Sequence, residues 1–438
     1  MRPSFPITPK IGFFIVALWL GGCSGGASVS PQPPSGLQTI SNTSSLSGTG
    51  GQEVSVSPTA LTFASETAVA QSITISENFA GTVTASVGAC ATVSPASQDV
   101  AVAPRAGGIK TATFSVGPVA VGTCTVTITD KKGNSAIVTV TVRVAHGTIT
   151  EYPVPTAGNP FDITTGSDGA LWFTDLNSNK IRRVTTAGVF SEYSVPTANS
   201  GPYDITAGPD GALWFTETFG EKIGRITTSG AFTEYPIPTA NRRPAGIATG
   251  PDGALWYGEP YNVGRVTTTG AFTEYPIPTA NSFPFAIATG QDGALWFTDS
   301  SNSSEIGRVT SSGAFTEYPT PTAFGTVDSG IATGADGALW FTEVDSNQIG
   351  RVTTAGTFTE YPIPTASSQP HVITLGPDGA LWFAEFGANK IGRVTTSGAF
   401  TEYPVPTANS QVQGITAGPD GALWFTEHLR NKIGRIVP

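Results

Sequence analysis

Apolar and polar positions alternate along most of this chain in short runs, cut by Gly, Pro, Asn and Asp. A two-residue period marks strands rather than helices. From about residue 150 the runs recur in a fixed order: a D-G-A-L-W turn and strand, an I-G-R strand, then a T-E-Y-P strand. The five letters begin at Asp168, Asp210, Asp252, Asp292, Asp336, Asp378 and Asp420, 42 residues apart except for one step of 40 and one of 44. Several short strands per copy at that period predict an all-β, seven-bladed β-propeller spanning 146–438, with one four-stranded blade per copy.

Each copy divides into strand A (Tyr203-Asp-Ile-Thr-Ala), a tight Gly-Pro-Asp-Gly turn, strand B (Ala212-Leu-Trp-Phe-Thr), a B–C loop, strand C (Lys222-Ile-Gly-Arg-Ile) and strand D (Ala231-Phe-Thr-Glu-Tyr). Strand B is apolar on both faces, as a strand held between neighbouring sheets must be. Its tryptophans, Trp172, Trp214, Trp256, Trp296, Trp340, Trp382 and Trp424, are therefore expected in the inter-blade core rather than on a ligand. The first T-E-Y-P (Thr150–Pro153) precedes the first strand A, so it should supply the outer strand of the last blade, closing the ring and removing free edges. In every C–D hairpin an Arg precedes a Glu by nine residues, as in Arg225 and Glu234. A two-residue turn would set them opposite each other, and Arg435 would then meet Glu151.

Upstream, 52–145 alternates as six or seven strands and reads as a β-sandwich, similar in pattern to bacterial immunoglobulin-like modules. Residues 24–51 are rich in Ser, Gly, Pro and Thr and read as a flexible tether. Residues 1–23 carry Arg2 and Lys10, an apolar run Ile11–Leu20 too short to span a bilayer, and then Leu20-Gly-Gly-Cys23. That ending resembles a bacterial lipobox, which implies export, acyl chains on Cys23 and attachment to the membrane of the cell envelope. Of the three cysteines this leaves Cys90 and Cys124, expected as a disulfide in an oxidising compartment. The net charge of −10 argues against nucleic acid as a partner. The protein is expected to be a monomer.

The turns are nearly identical in all copies, whereas the B–C loops vary (Leu176-Asn-Ser-Asn, Thr218-Phe-Gly-Glu, Pro260-Tyr-Asn, His428-Leu-Arg-Asn). Variety on one face of a uniform scaffold points there for a site. Two rings are expected at that mouth. One, at the start of strand A, reads Phe161, Tyr203, Ala245, Phe285, Ser329, His371 and Gln413. The other, at the end of strand B, is wholly acidic: Asp175, Glu217, Glu259, Asp299, Glu343, Glu385 and Glu427. Crowded carboxylates repel and raise some pKa values. Each either accepts hydrogen bonds from its own B–C loop or joins a subset holding Mg²⁺ or Ca²⁺.

The unit P-x-x-I-T-x-G-x-D-G-A-L-W-F-T-E…K-I-G-R-I-T…T-E-Y-P-I-P-T resembles the streptogramin B lyases over Glu151–Pro438. The resemblance implies a propeller in which Mg²⁺ polarises an ester while a histidine removes the α-proton and the ring opens by elimination. Pro370-His371-Val-Ile-Thr matches one active-blade motif, and Glu427 in Trp424-Phe-Thr-Glu supplies the last carboxylate. Glu385 and Glu427 are then the candidate metal ligands. The family's Glu-x-His reads Gln411-Val412-Gln413 here, and Gln413 has no nitrogen able to take a proton. His428, beside Glu427, is the substitute candidate. Two readings follow. One is a propeller binding a small molecule, glycan or protein through Phe161, Tyr203, Phe285, His371, Gln411 and Gln413. The other is a Mg²⁺-dependent carbon–oxygen lyase using His371 or His428 on a cyclic ester or an acidic sugar. A purely structural module is a third.

Overall fold

The computed structural model describes residues 44–47, 53–58, 60–64, 68–77, 81–100, 110–119, 122–130, 133, 135–142, 145–299, 305–322 and 330–438. The expected signal segment with Cys23, most of the expected tether, and Ser329 lie outside the described residues. Ser44–Ser47, assigned to the tether by composition, forms an edge strand paired with Glu53–Ser57. Its alternating Ser45-Leu46-Ser47 gains a backbone ladder that composition alone does not reveal.

The N-terminal region forms two five-stranded sheets. Their inward residues, among them Phe63, Ile73, Phe114, Val126, Ile128 and Val138, share one buried core. Cys90 and Cys124 are joined as a disulfide, Cα atoms 5.8 Å apart, closing a loop of sequence separation 34.

The remainder forms seven four-stranded antiparallel sheets. In the second, strand A is Pro202–Ala207, B is Leu213–Glu217, C is Lys222–Ile226 and D is Phe232–Pro236. Every strand A lies against the strand A of both neighbouring sheets, and Pro160–Thr165 lies against Val412–Ala417, so the ring is closed. Threonines lash the inner strands together: Thr165 Oγ1 donates to Ala417 O at 2.7 Å and Thr249 Oγ1 to Ala207 O at 2.7 Å.

The repeated letters find their partners between sheets. Each strand B tryptophan is fully buried and packs on the next sheet's strands, as Trp172 does with Ile205, Leu213 and Phe215. Trp172 Nε1 donates to Asp168 Oδ1 at 3.0 Å, Arg183 Nε donates to Asp168 Oδ2 at 2.7 Å, and Tyr193 stacks on the indole at 5.4 Å. The Asp of D-G-A-L-W is thus the hub of a cradle that buries an indole without stranding its N–H.

Ile149–Pro153 is indeed the outer strand of the last sheet, antiparallel to Lys432–Ile436. The Arg–Glu pairing fails in every copy. Five residues, Thr227–Ala231, bridge strands C and D in the second sheet, so Arg225 faces Thr233 and Glu234 faces Gly224. The one-residue slip puts Arg and Glu on opposite faces. Arg225 therefore pairs with Asp210 at 2.7 Å, and Glu234 with Lys222 at 2.9 Å. Likewise Arg435 pairs with Asp420, while Glu151 takes Lys432 at 2.7 Å and the N–H of Thr407 at 2.9 Å. Strand D's glutamate thus ties down the crossing from the preceding sheet.

Candidate functional site

The seven inner strands enclose a cavity of about 630 Å³. Strand A enters it through a bulge: between Pro202 and Ile205 the ladder with strand B slips, leaving Tyr203 and Asp204 outside regular pairing. A bulge re-aims side chains, and here Tyr203 and Asp204, neighbours in the chain, both line the cavity. Strand B threonines hold the bulge. Thr174 Oγ1 accepts the N–H of Asp162 at 3.1 Å and donates to Tyr203 O at 2.7 Å; Thr426 donates to Phe161 O at 2.7 Å.

Phe161, Tyr203, Phe285, His371 and Gln413 all line this cavity. The aromatic three form one wall, with ring centroids 4.4 Å apart for Phe161 and Tyr203 and 6.0 Å for Tyr203 and Phe285. His371 stacks on Phe386 at 4.6 Å, and Gln413 lies on the neighbouring inner strand. Burial of the charged form pushes the His371 pKa down to about 4, so the imidazole is neutral near pH 7. Gln411 is not part of the lining; its carbonyl accepts the N–H of His428 at 3.2 Å. His428 lies behind Phe161, with edge contact at 5.9 Å and Nδ1 3.1 Å from Pro160 O. Burial lowers its pKa as well.

The acidic ring is placed differently from the expectation. All seven carboxyl residues are buried and none lines the cavity. Asp175 pairs with Arg182 at 2.8 Å, Glu427 accepts from Ser410 at 2.6 Å, and Glu259 accepts from Asn262 at 3.0 Å. Burial pushes Glu217, Glu259 and Glu427 up to about 7, and Glu343 and Glu385 up to about 8. Glu385 and Glu427 each lie inside their own sheet, and no group of three His, Cys, Asp or Glu able to hold a metal occurs among the described residues. The arrangement does not fit a Mg²⁺ ion at these two glutamates.

Two lining residues were missed by sequence reasoning. Asp162 and Asp204 sit side by side in the first two inner strands. The signal was there: the position reads Asp only in these copies and Gly, Ala or Val elsewhere. Strict alternation would turn it away from the cavity, and only the bulge brings it in.

A family model described as the virginiamycin B lyase family matches residues 128–299 and 258–438. This chain belongs to the virginiamycin B lyase family. A solved virginiamycin B lyase from Staphylococcus aureus is 40% identical, with TM-score 0.63, over 66% of this chain and 99% of that one. A streptogramin B lyase structure is 40% identical with TM-score 0.63, over 66% of this chain and 96% of that one. A catalytically inactive histidine-to-alanine form of the Staphylococcus aureus lyase with quinupristin is 39% identical with TM-score 0.63, over 66% and 99%. The WD40 β-propeller domain of Doa1, 12% identical with TM-score 0.54, shares the fold alone. No curated protein matches the sequence. Family membership places the propeller-like architecture beyond doubt while leaving the chemistry to the residues in the cavity.

Proposed function

We propose that this family member is a seven-bladed propeller that binds a small molecule in its central cavity without opening it. In this reading it follows an immunoglobulin-like module and is exported and lipid-anchored through Cys23; the disulfide is compatible with export. The carrying observation is Gln413. It stands where the family's base is expected and lines the cavity on the strand next to that of His371. An amide cannot accept the α-proton. His371 is a neutral imidazole with a conjugate acid near pKa 4, far weaker than the near-neutral base proton abstraction favours. Glu427, the expected carboxylate, is turned out of the cavity.

What remains is a recognition surface. The aromatic wall offers stacking area, Gln413 an amide, and the cavity volume falls in the range of small-ligand sites. Full-length protein incubated with quinupristin, with and without Mg²⁺, should bind it and leave the cyclic ester intact by chromatography. Wild-type turnover that disappears in His371→Ala would overturn the proposal in favour of the lyase.

A further inference from the structure

The carboxyls of Asp162 and Asp204 lie side by side in the cavity lining, close enough to share one backbone N–H donor. Two carboxylates this close repel, which favours one proton kept between them and a single negative charge on the pair. Their partners are backbone N–H groups: Ile205 N reaches Asp162 Oδ2 at 3.2 Å and Asp204 Oδ1 at 2.8 Å, and Ile247 N reaches Asp204 Oδ2 at 2.8 Å. Burial and the neighbouring carboxyl push Asp162 well above the ordinary range, and burial raises Asp204.

Among the described residues no Lys or Arg lines the cavity. The flanking strands add none: Val412–Ala417 brings Gln413 and Gly414 beside Asp162, and Ile247–Thr249 is uncharged beside Asp204. Among the described lining residues the other titratable groups are Tyr203, next to Asp204 in the chain, and neutral His371. A buried negative charge without a cation is costly, and this one lies next to three aromatic rings that favour a cation over their faces. A second group in the same cavity is also unmatched: His371 Nδ1 is buried and has no hydrogen-bond partner among the described residues.

We propose that the cavity takes a ligand with a protonated amine beside an apolar ring, the ammonium on Asp162 and Asp204 and the ring on Phe161, Tyr203 and Phe285. This rests on the reading that the cavity binds a small molecule. The ammonium donates to both carboxyls and displaces the proton between them. That proton goes to solvent, so a cation and a singly charged pair become a cation and a doubly charged pair plus one released proton.

The test uses full-length protein and three probes of similar shape: 2-phenylethylamine, 2-phenylethanol and 3-phenylpropanoate, titrated by calorimetry near neutral pH. The amine should bind about tenfold tighter than the alcohol, and the anion more weakly than either. Asp162→Asn with Asp204→Asn keeps an oxygen acceptor for each backbone N–H; it should still bind the alcohol and lose the preference for the amine. On wild-type protein, calorimetry of the amine in buffers of differing ionisation heat should show release of about one proton per ligand. Equal binding of amine and alcohol overturns the proposal while leaving small-molecule binding intact. So does a preference that survives in the double variant. Absence of binding by all three overturns it too, and quinupristin binding then judges the broader reading separately. Should the double variant not fold, proton release by the wild type decides, and its absence is disproof.

Discussion

Glu217 is fully buried at the end of strand B, and neither of its carboxyl oxygens has a hydrogen-bond partner among the described residues. Burial, followed by the nearby Glu234, pushes its pKa from 4.5 up to about 7. The folded protein therefore holds a proton that the unfolded chain has already lost between these values. A raised carboxyl pKa gives stability that is complete below the unfolded value and lost as pH rises through the folded one. The gap corresponds to about 3 kcal/mol once the solution is alkaline enough to ionise the glutamate in both states. About 1 kcal/mol of this is already lost at about pH 5, so wild-type stability should fall by roughly 2 to 3 kcal/mol between about pH 5 and about pH 8.5 through this residue alone. Glu217→Gln keeps the shape and has nothing to titrate. Whatever fixed cost or gain the amide brings, its stability relative to wild type should rise by roughly 2 to 3 kcal/mol across that interval. Urea unfolding followed by tryptophan fluorescence measures this, because the sandwich region has no tryptophan and the ring has seven. A difference between variant and wild type that stays constant with pH would refute the reasoning.

Two further predictions concern the scaffold. In Gly224→Ala a Cβ would collide with the Phe215 ring, so the C strand must move off its neighbour; an overpacking cost of about 1 to 3 kcal/mol is expected, read as a lower urea midpoint. Tyr152→Ala removes the ring stacked on Trp424 at 5.4 Å in the closing strand; a loss of about 2 kcal/mol is expected. By loosening that strand it should also raise light scattering on heating, whereas the equivalent Tyr193→Ala, in a sequence-local hairpin, should scatter less.

The ring, its tryptophan core and its mode of closure were legible because each depends on a repeated spacing. The aromatic wall and His371 were legible too, since they vary over an otherwise uniform frame. Two things were not. Strand B is buried on both faces, as Leu213-Trp-Phe-Thr-Glu217 shows, so alternation gives no sign of which way its last carboxyl turns. In strand A a bulge breaks the two-residue period at the residues that matter, bringing Asp204 in beside Tyr203. The partner of each I-G-R arginine was misassigned for a related reason: a turn of five residues instead of two moves the pairing by one position. Each miss is a local change of register that residue counting cannot detect.

The ring's first and last strands meet in one sheet, where Gly147 N reaches Val437 O at 2.8 Å and Val437 N reaches Thr148 O at 3.1 Å. Backbone hydrogen bonding there does the work that the C–D turn does within each of the other sheets. Circular permutation should therefore be tolerated: a short linker across this junction, with new termini cut into an exposed C–D turn, would leave every sheet with its four strands. The order in which the sheets are synthesised is thus separable from the architecture they build.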